Sequence, residues 1–480
     1  MLTRSAFALA SCAAALAGSP EDAVIRSGVP WFDTDGNRIY AGGANLFLED
    51  GNFYLVGEGK KVVSGDNSAC FNFYKSSDLA AWDNLGCILN NTDIVSPPAW
   101  KYPYRMERPK IFKCPGATRA PYRLVFHCDS PSFSMTSIGI LTADAVTGPY
   151  TFSSPCFEPD GQPSYDMGTF VDDARGGDGK AYLIRSVRNQ FAGISAFNDD
   201  CTNVTGIVSS GPDMEGQVIM RDENGTLHAG GSHLTGWSSN AAQFVTTSSK
   251  YLPGAQWADN INPSGSPTTW DSQSTFIFPY EHADGHITFI WLADRWNANG
   301  PGGLDNMTNI WLPLIPPSGS NPPTKPVAGW LLQLATCDAS DSKQQFSLAG
   351  SALTHSSGLC VAIPAGSGEA PQLELAACDP SDPAQTWRSA HGGKTIANDA
   401  SGSCVDLNND NNVLVEKNPI IAYQCGSPPA WNEEWSVGGG LLTAVDQSGS
   451  KSSFCASVGP ASDPTQWSLP WRAEWSLKDY

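Results

Sequence analysis

Hydrophobic and polar residues alternate in short segments through the first two thirds of the chain. Segments 107–112 and 274–278 are examples, and such alternation is typical of a strand with two different faces. Turns of the Asp-Gly type recur, each followed by a short apolar or aromatic strand, at Asp50-Gly51, Pro115-Gly116, Asp178-Gly179, Asn224-Gly225 and Asp284-Gly285. Five hairpins in succession predict an all-β, five-bladed β-propeller, whereas a β-sandwich is the alternative that these strands allow.

One isolated polar residue lies roughly ten positions before four of these turns, once a four-residue insertion after Asp173 is allowed for. These residues are Glu107, Asp166, Glu215 and Gln273. In a propeller, equivalent positions at the start of each blade's inner strand converge on one axis. We therefore expect three carboxylates and one amide to meet at one end of the first domain.

The composition excludes several classes of partner. The 480 residues carry a formal net charge of −20. Nucleic acid and anionic membrane surfaces attract clusters of Lys and Arg, so we expect neither as a partner. A neutral ligand such as a sugar is compatible with this charge, and we expect a monomer.

Residues 1–17 are predicted to be a secretory signal peptide. Arg4 precedes an apolar run from Ala6 to Leu16, and small residues for cleavage follow. No later stretch reaches the ~18 apolar residues of a membrane span.

Six cysteines lie between the signal and residue 316 and six lie after it. Each part can therefore close its own disulfides, in a pairing that the sequence leaves open. Sequons at Asn90, Asn203, Asn224 and Asn306 would accept N-glycans on a secreted glycoprotein.

The chain divides at residues 316–326, a Pro-rich segment with few groups to bury. The expected domains are the propeller over 24–315 and a second domain over 327–480. In the second domain, the pattern Gln-x-aromatic recurs about every forty residues, at Gln344-x-Phe346, Gln385-x-Trp387 and Glu433-x-Trp435. The pattern resembles the repeat of ricin-type β-trefoils, which implies that the repeated aromatic side chains fill the trefoil core.

Sugar binding in the ricin-type family uses an Asp just after a Cys and an aromatic residue further on. The second repeat keeps both, as Asp406 and Tyr423, and Asn408 could assist. An Asp pairs with sugar hydroxyls, and an aromatic ring stacks on the apolar sugar face. The other repeats have Ala362 and Ser457 at the Asp position, so the resemblance implies one sugar site, and the alternative is a trefoil without a ligand.

Hydrolysis of a glycosidic bond needs a proton donor for the leaving oxygen and a nucleophile or base, and carboxyl groups serve in both roles. Glu215 enters an apolar strand, where desolvation would raise its pKa and suit it to be the acid. Asp166 could keep Glu215 protonated by like-charge repulsion and hold it in position. Glu107 is flanked by Arg105 and Arg108, so it should remain ionised and could bind sugar hydroxyls.

The first domain resembles glycoside hydrolase family 43, and most of all its exo-β-1,3-galactanase branch. The matching runs are 31–37 (WFDTDGN), 107–110 (ERPK), 172–173 (DD), 232–237 (SHLTGW), 271–275 (DSQST) and 294–296 (DRW). The resemblance implies a five-bladed propeller that hydrolyses with inversion, with Glu215 as the general acid and Asp166 as the residue that tunes it. It also implies contacts to galactose from Glu107 and Glu58, and substrate binding by Thr235, Trp237 and Arg295.

The first blade departs from the wider family. Most members place a base Asp where this chain has Ala41-Gly42-Gly43-Ala44, and that absence marks the galactanase branch. The branch implies a role for Gln273 on the attacking water, although an ordinary amide is a weak base. Gln273 and Glu107 are therefore both candidates for the base. Phe133 stands where the branch often has Tyr, which would remove one hydroxyl contact.

The leading hypothesis is a secreted, inverting exo-glycosidase that releases galactose from β-1,3-galactan and is anchored to the polysaccharide by its trefoil. A family 43 arabinofuranosidase or xylosidase is the second hypothesis, and a carbohydrate-binding protein without hydrolysis is the third. No cofactor or metal is predicted. Asp33, Asp35 and Asp129 could support a structural calcium ion, but no spacing demands one.

Overall fold

The computed structural model describes residues 19–59, 70–98, 103–173, 175–296, 306–315, 331–364, 370–376, 378–408, 414–416, 418–459, 469 and 474–479. Over these residues the chain is all β, as predicted, with no α-helix. Short 3₁₀ helices connect some strands, at Pro20–Asp22, Asn91–Asp93, Pro159–Gly161, Ser342–Gln344, Pro383–Gln385, His391–Gly393, Trp431–Glu433 and Leu477–Asp479. None of the described helices has the length and hydropathy of a membrane-spanning helix. The predicted signal peptide and linker lie outside the described residues.

Strand β1 (Ile25–Arg26) precedes five antiparallel sheets, which we number in chain order. Sheet 1 contains β2 (Gly42–Glu49), β3 (Asn52–Gly59), β4 (Cys70–Ser76) and β5 (Asp83–Asn90). Sheet 2 contains β6 (Arg105–Lys113), β7 (Tyr122–Asp129), β8 (Ser137–Ala143) and β9 (Thr151–Phe152). Sheet 3 contains β10 (Ser164–Val171), β11 (Ala181–Val187), β12 (Phe191–Phe197) and β13 (Val204–Gly211). Sheet 4 contains β14 (Glu215–Arg221), β15 (Leu227–Ser232), β16 (Ala242–Thr247) and β17 (Ala258–Ile261), and sheet 5 contains β18 (Gln273–Glu281), β19 (Ile287–Arg295) and β20 (Thr308–Leu314).

The five turns identified in the sequence each connect the first two strands of a sheet. Gly225 and Gly285 adopt φ values of +84° and +90° in two of these turns, a conformation that favours glycine. The Asn and Asp residues before them are common at such positions. Local turn chemistry therefore sets where each hairpin reverses, and the sheets are consistent with propeller blades.

Each sheet packs on the next through its own cluster of buried side chains. Val56 of sheet 1 and Leu124 of sheet 2 belong to one such cluster, and similar clusters join sheets 2 and 3, sheets 3 and 4, and sheets 4 and 5. A further cluster joins sheet 5 to sheet 1 through Trp311 and Leu55. The sheets thus form a closed ring with their first strands innermost. A cavity of about 330 Å³ lies inside this ring, lined by Leu46, Ile111, Phe170, Ile219 and Ile277 among others.

The second domain is built from short antiparallel strands. These are β21 (Leu331–Thr336), β22 (Phe346–Ala349), β23 (Ala352–His355), β24 (Cys360–Ala362), β25 (Glu374–Ala376), β26 (Trp387–Ala390), β27 (Thr395–Asn398), β28 (Ser403–Leu407), β29 (Ile420–Gln424), β30 (Trp435–Gly438), β31 (Leu441–Val445) and β32 (Lys451–Gly459). Phe346, Trp387 and Trp435 lie in one buried cluster, which confirms that these aromatic residues form the core. The amide oxygen of Gln385 accepts from the backbone N–H of Asp379 (3.0 Å), and Glu433 accepts from Gly426 in the same way (3.0 Å). Glu433 therefore keeps the acceptor role of the Gln in the other repeats, although it lacks the amide nitrogen with which Gln344 donates to the carbonyl of Thr336 (2.9 Å).

The last described residues return to the first domain. Strand β33 (Glu474–Trp475) pairs with β1, and the Trp475 indole N–H donates to the carbonyl of Trp311 (2.8 Å). Trp475 and Leu477 are buried in the cluster that joins sheets 5 and 1. The sequence-based range of 327–480 includes this segment, but its packing partner is the first domain rather than the trefoil.

Six disulfides form, and none crosses between the two cysteine sets. The pairs are Cys70–Cys87, Cys114–Cys201, Cys128–Cys156, Cys337–Cys455, Cys360–Cys378 and Cys404–Cys425. The prediction that each part closes its own disulfides is confirmed.

Candidate active site

The register of every inner strand is interrupted near its start. The interruptions lie between Gly42 and Asn45, Glu107 and Lys110, Ser164 and Met167, Glu215 and Val218, and Ser274 and Phe276. Bulges of this kind turn a side chain away from the regular pleat and are common beside active sites. They bring the four polar residues of the predicted constellation to the same end of the ring.

The inner strand of sheet 1 has no carboxylate of its own at its bulge. Gly43 has a φ of +60°, and a Cβ there would lie 2.6 Å from Oε1 of Glu58 and 2.8 Å from Cα of Arg108. Its backbone is held on both sides, because its N–H donates to Asp294 (2.6 Å) and its carbonyl accepts from Nζ of Lys110 (2.6 Å). The space that a longer residue at 43 would need is therefore occupied, which explains physically why this position carries no acid.

Asp166 is an ionised carboxylate in this site. Its Oδ2 lies 2.7 Å from Nη2 of Arg108 and accepts a hydrogen bond from the backbone N–H of Gly216 (3.0 Å). Burial opposes its ionisation, but the charge and hydrogen bond of Arg108 prevail and lower the pKa of Asp166. The contact with Gly216 also places Asp166 beside Glu215.

Glu215 is held in the opposite protonation state. Burial, followed by the negative charge of Asp166, raises the pKa of Glu215 to about 7, although Arg108 acts in the other direction. Glu215 is therefore mostly protonated at mildly acidic pH while its neighbour is ionised. Two carboxyl groups with divergent pKa values are an arrangement suited to acid catalysis.

Gln273 lies next to this pair on β18. Its Oε1 accepts a hydrogen bond from Nη2 of Arg108, and its Nε2 donates to Oγ of Ser232 (2.9 Å). Ser232 pairs with Glu215 across β14 and β15. A Cβ on Gly216 would lie 2.8 Å from Cγ of Gln273, so the two strands approach closely here.

Glu107 lies on the other side of Asp166, on β6. Its carboxylate is 3.6 Å from the guanidinium of Arg105 and 3.6 Å from Nδ1 of His127. The other ring nitrogen of His127 donates to Asp129 (3.1 Å). Burial opposes the charged imidazole, but Asp129 and Glu107 together raise the pKa of His127. Phe133 packs under Arg105, with the guanidinium 4.0 Å from its ring centre.

Glu107, His127 and Asp166 also form a group whose potential ligand atoms lie within 4.8 Å of one another. Arg108 already pairs with Asp166, so much of the negative charge in this group is balanced by protein cations. Glu58, by contrast, is almost fully buried behind the site, and its Oε1 accepts from the backbone N–H of Arg108 (3.0 Å).

The remaining predicted substrate-binding residues lie around sheets 4 and 5. Thr235 and Trp237 are exposed on the loop after β15, and the indole of Trp237 meets that of Trp296 edge-on at 5.5 Å. Arg295 lies at the end of β19, where its Nε donates to the carbonyl of Trp270 (3.0 Å). Phe133 and Glu107 therefore share a contact with Arg105, whereas Trp237 contacts Trp296, the residue that follows Arg295.

In the trefoil, Asp406 and Tyr423 are diagonal neighbours on the paired strands β28 and β29. Asp406 is buried and accepts a hydrogen bond from Nδ2 of Asn432 (2.6 Å), whereas Tyr423 is 48% exposed. Burial and the nearby charge of Glu433 raise the pKa of Asp406 to about 6. Asn408 is exposed at the end of β28.

Several contributors to the site were not recognised in the sequence. The sequence indicates Arg108 only as a cation beside Glu107, and its patterns assign no role in the site to His127, Lys110 or Asp294. All four are at most 3% exposed. His127 and Asp294 follow apolar runs at 124–126 and 289–293, and a titratable residue in such a run is a signal that could have found them. Arg108 and Lys110 lie in a strand with three other charged residues, which gives no such signal.

Comparisons with known proteins agree with this architecture. Residues 320–430 match the model of the ricin-type β-trefoil lectin domain. The structure of an exo-β-1,3-galactanase from Clostridium thermocellum is 22% identical in sequence and gives a TM-score of 0.58. The match covers 93% of this chain and 99% of the galactanase chain. A family 43 β-1,3-galactosidase with galactodeoxynojirimycin is 28% identical, covers 61% and 95%, and gives a TM-score of 0.51. The comparison with curated proteins returned no match.

The structure of an exo-β-1,3-galactanase from Phanerochaete chrysosporium with β-1,3-galactotriose is 24% identical in sequence and gives a TM-score of 0.54. The match covers 74% of this chain and 90% of the galactanase chain. The predicted resemblance to glycoside hydrolases of this type, with a ricin-type trefoil at the C-terminal end, is confirmed. The trefoil and the disulfides also suggest an extracellular protein.

Proposed function

We propose that this chain is a secreted family 43 glycoside hydrolase that releases galactose from the ends of β-1,3-galactan. The five sheets are then the blades of a five-bladed propeller, and the site at one end of the ring receives the terminal sugar. The resemblance to galactanase structures supports this substrate class, and the carboxylates supply the chemistry.

Glu215 is the general acid in this proposal. It is protonated below about pH 7, so it can donate a proton to the glycosidic oxygen as the bond to C1 breaks. Asp166 stays ionised beside it, and its charge keeps the proton on Glu215 until the transition state is reached. This pairing of a protonated and an ionised carboxyl group, joined through Gly216, is the observation that carries the proposal.

Inversion requires a water molecule on the opposite face of the sugar, and a group that takes its proton. The candidates for this group are Gln273, on the inner strand of sheet 5, and Glu107, on the inner strand of sheet 2. Glu107 has the chemistry of a base, whereas Gln273 as a neutral amide can orient water but binds a proton poorly. Phe133, Thr235, Trp237 and Arg295 are the proposed contacts to the sugar. The predicted role of Glu58 is proposed to be indirect, through the backbone of Arg108, because its side chain is 1% exposed.

The trefoil is proposed to hold the enzyme on the polysaccharide through Asp406, Asn408 and Tyr423. Carbohydrate is therefore the proposed partner of both domains, and the chain acts as a monomer.

The decisive experiment is to incubate the full chain with β-1,3-galactan, arabinan and xylan and to analyse the products by chromatography. Release of galactose from galactan alone is expected. Release of arabinose or xylose alone would favour the second activity of the family, and binding without products would favour a lectin-like protein. Proton NMR of the first product should show the α anomer, whereas β-galactose would contradict inversion.

A further inference from the structure

Arg108 connects four of the five sheets. Its backbone N–H donates to Glu58 of sheet 1, and its guanidinium reaches Asp166 of sheet 3 (2.7 Å). The same guanidinium donates to Oε1 of Gln273 and to the carbonyl of Ser274 (3.0 Å), both on sheet 5. The residue adopts a φ of +55°, which a side chain beyond glycine rarely takes, and it is only 3% exposed. Strain of this kind persists where surrounding contacts over-determine the conformation.

The guanidinium determines which atom of Gln273 faces it. Arginine has donors and no acceptor, so the amide atom against Arg108 must be the oxygen. The nitrogen then donates to Ser232, which completes the orientation. One N–H and one lone pair of the amide remain to orient a water molecule, while the guanidinium draws electron density from the oxygen and reduces its basicity.

The same cation acts on both carboxyl groups of the proposed acid pair. It lowers the pKa of Asp166 against the effect of burial, and it also opposes the raised pKa of Glu215. The other charged groups that act on the pair are His127, Asp213 and Glu107, and the backbone N–H of Gly216 also lowers the pKa of Asp166. The carboxylates of Asp166, Asp294 and Glu58 favour the charged form of Arg108, and the buried Lys110 lies close by.

The geometry points to Arg108 as a positioning residue of the proposed hydrolase, which fixes the amide of Gln273 as a water holder and keeps Asp166 ionised beside protonated Glu215. This inference rests on the proposed function.

The test measures kcat/KM for β-1,3-galactan against pH in the full chain. In Arg108→Met, both limbs of the profile should move to higher pH by about one unit or more, because removing a nearby cation raises both macroscopic pKa values of the carboxyl pair. Arg108→Lys keeps the charge but loses the planar fork, so its limbs should stay in place while the rate falls at least about tenfold. Ser232→Ala should also lower the rate without moving either limb, because the hydroxyl holds the amide nitrogen of Gln273 and donates to the backbone carbonyls of Glu215 and His233 rather than to a carboxyl group.

Arg388→Met is the matched control. Arg388 is an exposed arginine that pairs with Asp399 in the trefoil (2.7 Å), so its removal should change neither limb nor the rate on a short oligosaccharide. Limbs that stay in place in Arg108→Met would overturn the inference, since they would indicate a purely structural role. A full wild-type rate in Arg108→Lys would also overturn it.

Folding is monitored by Trp fluorescence during thermal unfolding. If Arg108→Met does not fold, Arg108→Lys and Ser232→Ala decide the outcome, because the inference requires a lower rate in both at an unchanged pH profile. If the wild-type chain releases no galactose, the proposed function fails. If it releases galactose but the Arg108 variants behave otherwise than expected, only this inference fails.

Discussion

Replacing Glu215 with Gln should stabilise the protein at neutral pH while removing its proposed activity. Below pH 4.5 the side chain is protonated in both the folded and the unfolded state, so it contributes no pH dependence. Between pH 4.5 and 7 the unfolded state loses the proton and the folded state keeps it, because the folded pKa is raised to about 7. The free energy of unfolding of the wild type therefore falls with rising pH across this window. The Gln variant has no proton to lose and lacks this decline.

The magnitude follows from the difference of 2.5 between the two pKa values, 4.5 and about 7. At about 1.36 kcal/mol per unit, the full penalty is about 3 kcal/mol above pH 7. Part of it is already present at pH 5, so the free energy of unfolding of Glu215→Gln relative to the wild type should rise by about 2.5 kcal/mol between pH 5 and pH 8.

The assay is urea unfolding at pH 5, 6, 7 and 8. Unfolding is monitored by hydrogen exchange of peptides from β10 and β14, so that the first domain is measured apart from the trefoil. Glu281→Gln, which removes an exposed carboxylate at the far end of β18, serves as the control for the loss of one surface charge. The same Glu215 variant should hydrolyse galactan at least ~10²-fold more slowly and still bind it. A stability difference that stays constant with pH would refute the assignment of a raised pKa, and an unchanged rate would remove Glu215 from the mechanism.

Three other substitutions test separate parts of the structure. Gly43→Ala should lower the free energy of unfolding by about 1–3 kcal/mol and impair hydrolysis, because a Cβ meets Glu58 and the backbone of Arg108; urea unfolding and galactose release measure both effects. Trp475→Ala should destabilise the first domain by about 3–5 kcal/mol, since the indole is buried against Trp311; differential scanning calorimetry should show its transition at a lower temperature. Asp406→Asn should weaken retention on galactan in affinity electrophoresis, and wild-type retention should fall below about pH 6 as the carboxylate is protonated.

Each of these has a contrary result. A Gly43→Ala protein with wild-type stability would show that sheet 1 can move away from Arg108. A Trp475→Ala variant that shifts only the trefoil transition would contradict the packing of the last residues on the first domain. Retention of the wild type that is equal at pH 5 and pH 8 would exclude Asp406 as the titrating group. As a control, Asp406→Asn should hydrolyse short oligosaccharides at the wild-type rate.

The hairpins were predictable because their signals are local. Asn224-Gly225 and Asp284-Gly285 define turns by their own backbone preferences, and the strands beside them alternate over a few residues. The trefoil core was predictable for the same reason, since Trp387 and Trp435 recur in a fixed short pattern. The position of Glu215, Asp166, Gln273 and Glu107 in equivalent hairpins was sufficient to expect that they meet.

The chemical state of these residues was only partly predictable. A raised pKa for Glu215 was expected from its apolar strand, but the lowered pKa of Asp166 depends on Arg108, which comes from a different sheet. The role of Arg108 could not be inferred from the motif around it, because its partners Asp166 and Gln273 are 58 and 165 residues away along the chain. Likewise, no local signal indicates that Trp475 packs in the first domain.

By itself, the sequence determined the all-β class, the place of each hairpin, the two cysteine sets and the residues that could carry the chemistry, because these follow from composition and short-range periodicity. Only the tertiary structure decided which cation keeps Asp166 ionised, which atom of Gln273 faces that cation and why Gly43 cannot carry an acid. Those properties depend on distances of about 3 Å between atoms far apart in the chain, since desolvation and charge act through space.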